Sequence, residues 1–322
     1  MNRRAAILAA LALLLAAEPA SAAGREQRKR LRLELSVGLQ ALAPAELNLA
    51  AEADERLQYL LYDRHLDYLR SSGQIRSWSA TAAGRRARVG SGVLLEPCLT
   101  WEVSSAVSLS AGLRLLDGGR AAELAYAYTR VLPDGGRYVE ILAYSPYLLR
   151  VTGWWPSLGV RWGRRLGRAL RLEGYAQAGP LLARVSYRSA WTYAWDMTGE
   201  NYSWPVFRDA GERKEKGAGT GAGLEGGGRL AWALGPRLSL FLAGGYSRQR
   251  VDALSGSGRE TRAGSEESWS GTWVLRGETV ATPWETMAVR YPTCRPQAGA
   301  DDDPFRLDLS GWRLSAGLSW RL

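Results

Sequence analysis

From Trp312 to the end of the chain, Trp312, Leu314, Ala316, Leu318, Trp320 and Leu322 alternate with Arg313, Ser315, Gly317, Ser319 and Arg321. A period of two sends successive side chains to opposite faces of an extended backbone, so this stretch predicts a strand with one apolar and one polar face. Leu31, Leu33, Leu35, Val37 and Leu39 alternate in the same way with Arg32, Glu34, Ser36, Gly38 and Gln40. Six more segments follow the rule: Val93–Val103, Val107–Leu115, Ser157–Gly163, Leu170–Gly179, Ala222–Leu234 and Leu238–Ser247.

The spacing between strands is uneven. Tight turns are read at Ser104–Ala106, around Leu166–Gly167 and at Gly235–Arg237, whereas the connections near 41–86, 117–150, 188–217 and 252–306 are long. Short turns at one end and long loops at the other is the arrangement of outer-membrane barrels. Trp101, Trp162 and Trp232 each stand on the apolar face shortly before a tight turn, and Trp320 stands two residues before the last, so the four predict one aromatic girdle. Trp154 and Trp312 precede Trp162 and Trp320 by eight residues, an even spacing that keeps the face. At about 3.3 Å per residue and a tilt near 40°, that separation is roughly 20 Å, close to an apolar band of about 25 Å. A soluble sandwich or lipocalin-like barrel also alternates, but it encloses its apolar residues. Here the Gly, Ser, Arg and Glu face is the one to be enclosed. The expected fold is all-β: a closed antiparallel transmembrane β-barrel of eight strands, or ten if residues near 120–145 and 266–292 add two.

The first residues fit export. Arg3 and Arg4 precede an apolar run from Ala5 to Ala17 and the small-residue stretch Ala20-Ser21-Ala22, so 1–22 reads as a signal peptide. Residues 23–30 read as a basic periplasmic segment and 31–322 as the barrel. The signal peptide, the turn pattern and the final strand GWRLSAGLSWRL resemble the small outer-membrane barrels of the OmpA/OmpX/OmpW type. In that class the last strand is the signal for the barrel-assembly machinery and usually ends in Phe or Trp; this chain ends in Leu322, with Trp320 two residues earlier. The resemblance implies an integral outer-membrane protein, a monomer, in contact with outer-membrane lipid and lipopolysaccharide.

An eight-stranded interior is narrow enough for side chains to fill. Folding the hairpin at Ser104–Ala106 sets Glu96 opposite Arg114, which predicts a buried ion pair. Arg32, Glu34, Glu102, Arg161, Arg171, Glu173, Arg229 and Arg321 are expected to form a second cluster near the periplasmic end, and Glu225 lies on the same polar face. These charges read as filling of the lumen, with a gated small-solute channel as the alternative.

Of the long connections, 45–72 reads as helix ending at Gly73, and Leu124–Tyr144 as a hairpin extending two strands outward. The net charge of +10 is carried in part by Arg25, Arg28, Lys29, Arg30, Arg164, Arg165, Arg168 and Arg237, which suit lipid phosphates; export argues against nucleic acid. Asp301-Asp302-Asp303 lacks the spacing of a calcium loop and reads as a solvated acidic turn. Cys98 and Cys294 are expected to be free thiols. No cofactor and no metal is expected. Some barrels of the resembled class are lipid A acylases or deacylases, and ten-stranded relatives are Asp/His proteases, so the single histidine, His65, is the one candidate for a lipid A-modifying hydrolase. Asp63 and Asp67 flank it at two residues, which on a helix points them away from the imidazole. No catalytic residue is therefore assigned, and external loops that interact with the cell surface, bind lipopolysaccharide or support envelope integrity are the expected function.

Overall fold

The computed structural model describes residues 31–42, 44–49, 64–84, 89–133, 136–167, 169–199, 202–203, 207–281 and 286–322. In chain order these contain β1 (Leu31–Ala41), α1 (His65–Ser71), β2 (Ser77–Gly84), β3 (Ser91–Glu102), β4 (Val107–Val131), β5 (Arg137–Leu166), β6 (Leu170–Gly199) and β7 (Tyr202–Ser203). They continue with β8 (Phe207–Ala233), β9 (Leu238–Val251), β10 (Ser255–Arg262), β11 (Ser265–Ala281), β12 (Thr286–Arg295), β13 (Asp302–Pro304), β14 (Leu307–Asp308) and β15 (Gly311–Arg321). The chain is nearly all β.

Eight strands form a closed antiparallel ring in the order β1, β3, β4, β5, β6, β8, β9, β15 and back to β1. All eight alternating segments read from the sequence lie in these strands, except that Val103, Leu234 and Leu322 each fall one residue past the strand end. Closure joins the two ends of the described chain, from Arg32 opposite Arg321 to Gln40 opposite Arg313. Three tight connections fall at one end of the ring. In the first, the Ser104 hydroxyl accepts hydrogen bonds from the backbone N–H of Ala106 (3.2 Å) and Val107 (3.0 Å), a side-chain turn that stops the strand. In the second, Gly167 takes a left-handed φ of +84°, which a side chain would resist.

At the other end the long connections are not loops over most of their length. Residues 117–150 and 188–217 continue β4, β5, β6 and β8 outward, so that β5 and β6 are 30 residues each. The expected hairpin at Leu124–Tyr144 is the outer part of β4 and β5, closed across Val131 and Arg137. The stretch 252–306 holds β10 to β13 rather than loop. β10 carries on where β9 stops, Ala222 pairing with Arg250 and Ala218 with Ser255. β14 likewise extends β15 along β9 in unbroken register. Above the ring, β2, β4, β5, β6, β8, β10, β11 and β12 thus form one open sheet. Of the expected helix, 45–49 and α1 are helical and Gly73 follows α1 at φ +75°, while 50–63 lie outside the described residues.

Where the strands leave the ring, their faces exchange polarity. On β6 the inward Arg171, Glu173 and Gln177 are buried beside the exposed, outward Leu172. Further along the same strand, Leu181, Ala183 and Val185 point inward at 1% exposure and Arg184 and Arg188 point outward. The β6–β8 register runs without a shift from Leu170 to Trp195, so the exchange is written in the side chains and not made by a bulge. The outer half therefore has a soluble-type apolar core that includes Leu94, Leu116, Val151, Leu181, Val251, Leu307 and Leu309.

Candidate functional site

The inward positions of the ring hold the site, because alternate residues of eight tilted strands converge on one axis. Glu96 on β3 and Arg114 on β4 meet across their hairpin, with Arg114 Nε and Nη2 at 3.1 and 3.0 Å from Glu96 Oε2. The guanidinium also pairs with Glu225 of β8 and stacks on Trp155, 4.4 Å from the ring centroid. Arg313 completes the group. It pairs with Glu96, reaches Glu225 Oε1 through Nε at 2.6 Å, and donates to the Tyr175 hydroxyl at 3.2 Å through Nη2. Tyr175 in turn donates to Glu225 Oε1 at 2.9 Å. Two carboxylates and two guanidiniums are thus held in a balanced network. The space for Tyr175 comes from missing side chains: a Cβ on Gly227 or Gly245 would stand 2.5 or 2.4 Å from its hydroxyl.

A second network lies toward the short-turn rim. Glu34 receives Arg229 in bidentate fashion at 2.8 and 2.9 Å, Arg161 at 2.6 Å and the Ser319 hydroxyl at 3.1 Å. Glu173 lies 2.9 Å from Arg171 Nε and 3.5 Å from Arg229 Nε. Glu102 gathers Arg32, Arg171 (3.1 Å) and Arg321 (3.7 Å). Here five arginines face three glutamates, so the rim is positive. Between the two networks lies a void of about 20 Å³ bordered by Glu34, Glu96, Gln177 and Ser315. That is space for about one water molecule. The Gln177 amide nitrogen and Ser315 hydroxyl are buried and have no partner among the described residues, so both have hydrogen-bonding capacity toward such a water.

All eleven charges named from the sequence lie on this inner face, and the structure brings them into two networks. Arg313, Tyr175 and Trp155 were missed. Arg313 stands at the right parity, but its partners Glu96, Tyr175 and Glu225 come from β3, β6 and β8, none of which adjoins β15, and no local spacing reveals that. Trp155, directly opposite Arg114, lies two residues before the segment read as alternating. Trp155 also mends a gap in the sheet. Pro156 and Pro180 carry no N–H, the β5–β6 ladder is interrupted there, and the indole donates to the Gly179 carbonyl at 3.1 Å.

The outer face of the ring is apolar. Trp101, Trp162, Trp232 and Trp320 are 45–51% exposed near the short-turn rim, and Trp154 and Trp312 are exposed at the opposite side of the belt. Trp312 meets Tyr246 edge-on with centroids 5.5 Å apart. Between these levels Leu35, Leu109, Leu158, Leu172, Leu242 and Leu318 are exposed.

No family model and no curated protein matches the chain. Among solved structures it is similar to a major outer membrane protein from Thermus thermophilus, at 15% identity and a TM-score of 0.32, over 76% of this chain and 98% of that one.

Beyond the belt, Glu215 is buried inside the outer sheet, with Arg213 Nη2 at 2.6 Å and the Thr293 hydroxyl at 2.9 Å. Burial works against the Arg213 charge, but Glu215 outweighs it and keeps the guanidinium more basic than usual. Cys98 and Cys294 are both buried and free, and burial pushes the Cys294 thiol up. Asp302 and Asp303 pair with Arg295 and Arg290, each at 2.9 Å. Among the described residues no three His, Cys, Asp or Glu are grouped as a metal site requires. The His65 side chain lies outside the described residues, as do Asp63, Arg168 and the basic segment 23–30. Arg164, Arg165 and Arg237 are exposed at the short-turn rim.

Proposed function

We propose that this chain is an outer-membrane β-barrel with a lumen sealed by side chains, non-enzymatic, whose outer sheet meets the cell surface and supports envelope integrity. The observation that carries the reading is the exchange of polarity along the strands: apolar outside and charged inside within the ring, the reverse beyond it. Soluble proteins rarely expose a contiguous apolar patch larger than a few hundred Å². A belt of exposed Leu and Val between two levels of Trp is what a hydrocarbon layer with two interfaces requires. The closed ring also leaves no unpaired strand edge at that level, as lipid demands.

The remaining parts of the proposal follow from that placement. The short-turn rim faces the periplasm, where Arg164, Arg165 and Arg237 reach lipid phosphates. β15, with its Trp320 and with Leu322 directly after it, is the strand offered to the barrel-assembly machinery. Residues 1–22 act as the export signal, and the protein works as a monomer. A channel draws no support from the geometry, since the interior of the ring is filled.

The test is gel mobility with and without boiling, combined with protease treatment of intact cells. The folded protein is expected to migrate faster unboiled, and the protease to cut in the outer sheet but not in the ring. Equal mobility, or cleavage confined to opened cells, overturns the proposal.

A further inference from the structure

Just beyond the belt, the outer wall of the ring turns basic on three neighbouring strands. Arg184 on β6 and Lys216 on β8 are exposed, and neither forms an ion pair among the described residues. Arg150 on β5 stands beside them and is held by Asp117, with Nε and Nη2 at 2.9 and 2.6 Å from the carboxylate oxygens. The ladder interleaves these cations with hydroxyls: Thr152 lies opposite Arg184, and Ser186 lies between Arg150 and Lys216. Together they line an open groove of about 470 Å³. Three cations with one carboxylate and several hydroxyls is a donor-rich surface with excess positive charge, the chemistry that holds a phosphoryl group.

The height of the groove narrows the choice of ligand. Arg150 is four residues beyond Trp154, and Arg184 is two beyond Leu182. At about 3.3 Å per residue on tilted strands, that sets the cations roughly 5–10 Å outside the apolar belt, the depth of a headgroup. Directly beneath them the wall is apolar, with Trp154, Leu158 and Leu182 exposed. An anion carrying acyl chains is therefore gripped at both ends, whereas a free phosphate uses only the cations.

We infer that this groove binds the phosphorylated headgroup of an outer-leaflet lipid, a lipid A-type phosphoglycolipid. The inference rests on the membrane placement proposed above. It is tested by native mass spectrometry of the folded full-length protein in dodecyl maltoside micelles, offered diphosphoryl lipid A or phosphatidylcholine. Lipid A is expected to stay bound and phosphatidylcholine to be lost. The double variant R184A/K216A, which alters only exposed side chains, should retain lipid A roughly tenfold less well, and R184K/K216R should restore it. Equal retention by R184A/K216A and the parent, or equal retention of phosphatidylcholine, overturns the site. Displacement by millimolar inorganic phosphate overturns the lipid as its ligand in favour of a free anion. Heat-modifiable mobility is read on the same samples: a normal shift without lipid retention rejects this site alone, while a parent that never shifts rejects the membrane placement with it.

Discussion

Glu225 shows how much a single side chain controls in this interior. Its side chain is fully buried and takes contacts from Arg114, Arg313 and Tyr175. A carboxylate out of water is costly, and so are the two guanidiniums; each is tolerable only because the others are there. Replacing Glu225 with Leu removes one charge and leaves Arg114 and Arg313 to share Glu96, one buried positive charge in excess. The expected loss is about 3–5 kcal/mol of unfolding free energy, measured by denaturant titration of the folded protein with tryptophan fluorescence. Tyr175→Phe removes one hydroxyl from the same network and should cost only about 1 kcal/mol, so the two variants separate a charge effect from a hydrogen-bond effect. A small loss for Glu225→Leu would mean that Arg114 and Arg313 find other partners or water, and the networks would then not be the interior's main fastening.

At the scale of the strand, exchange of face polarity gives a sharper test than any single contact. Leu158 on β5 is 73% exposed and lies midway between Trp154 and Trp162, while Ile141, far out on the same strand, is 44% exposed. Soluble-protein logic treats both as surface residues and predicts little change for either. With the ring in a bilayer, Leu158→Arg sets a cation in hydrocarbon and should cost about 2–4 kcal/mol, whereas Ile141→Arg meets water and should stay within about 0.5 kcal/mol. Unfolding in lipid vesicles reads both, and equal small effects would contradict the membrane placement. The same contrast explains what the sequence made legible. Within the ring the two faces of each strand differ strongly, so all eight strands could be read, together with the hairpin register that joins Glu96 to Arg114. Beyond the ring β8 runs FRDAGERKEKGAGTG, with Lys214 and Lys216 outward and Arg213 and Glu215 inward. Both faces are polar or small there, the period vanishes, and strand reads as loop. The basic groove was hidden for a related reason, since Arg150, Arg184 and Lys216 come from three strands and become neighbours only through register.

The whole molecule sets three kinds of matter in series along one axis. A positive rim built on Arg32, Arg171 and Arg321 leads to the Glu34 network, then to a void of about 20 Å³, then to the Glu96 and Glu225 network. Beyond these, Leu94, Leu116, Val151, Leu181, Leu307 and Leu309 close the way with an apolar layer. An ion entering from the rim would first have to displace guanidiniums from the carboxylates that hold them, leaving charges unpaired at several kcal/mol each. It would then meet side chains that offer it no oxygen. Charged rings line a channel only when water runs continuously between them, and an apolar constriction gates by excluding that water. The two barriers are different in kind, so loosening one does not open the other. Planar bilayers containing the purified protein should therefore show no steady single-channel openings, and Glu225→Leu, although destabilised, should remain closed because the apolar layer is untouched. Steady conductance from the parent protein would require both barriers to move together, and the sealed interior would have to be abandoned in favour of a gated pore.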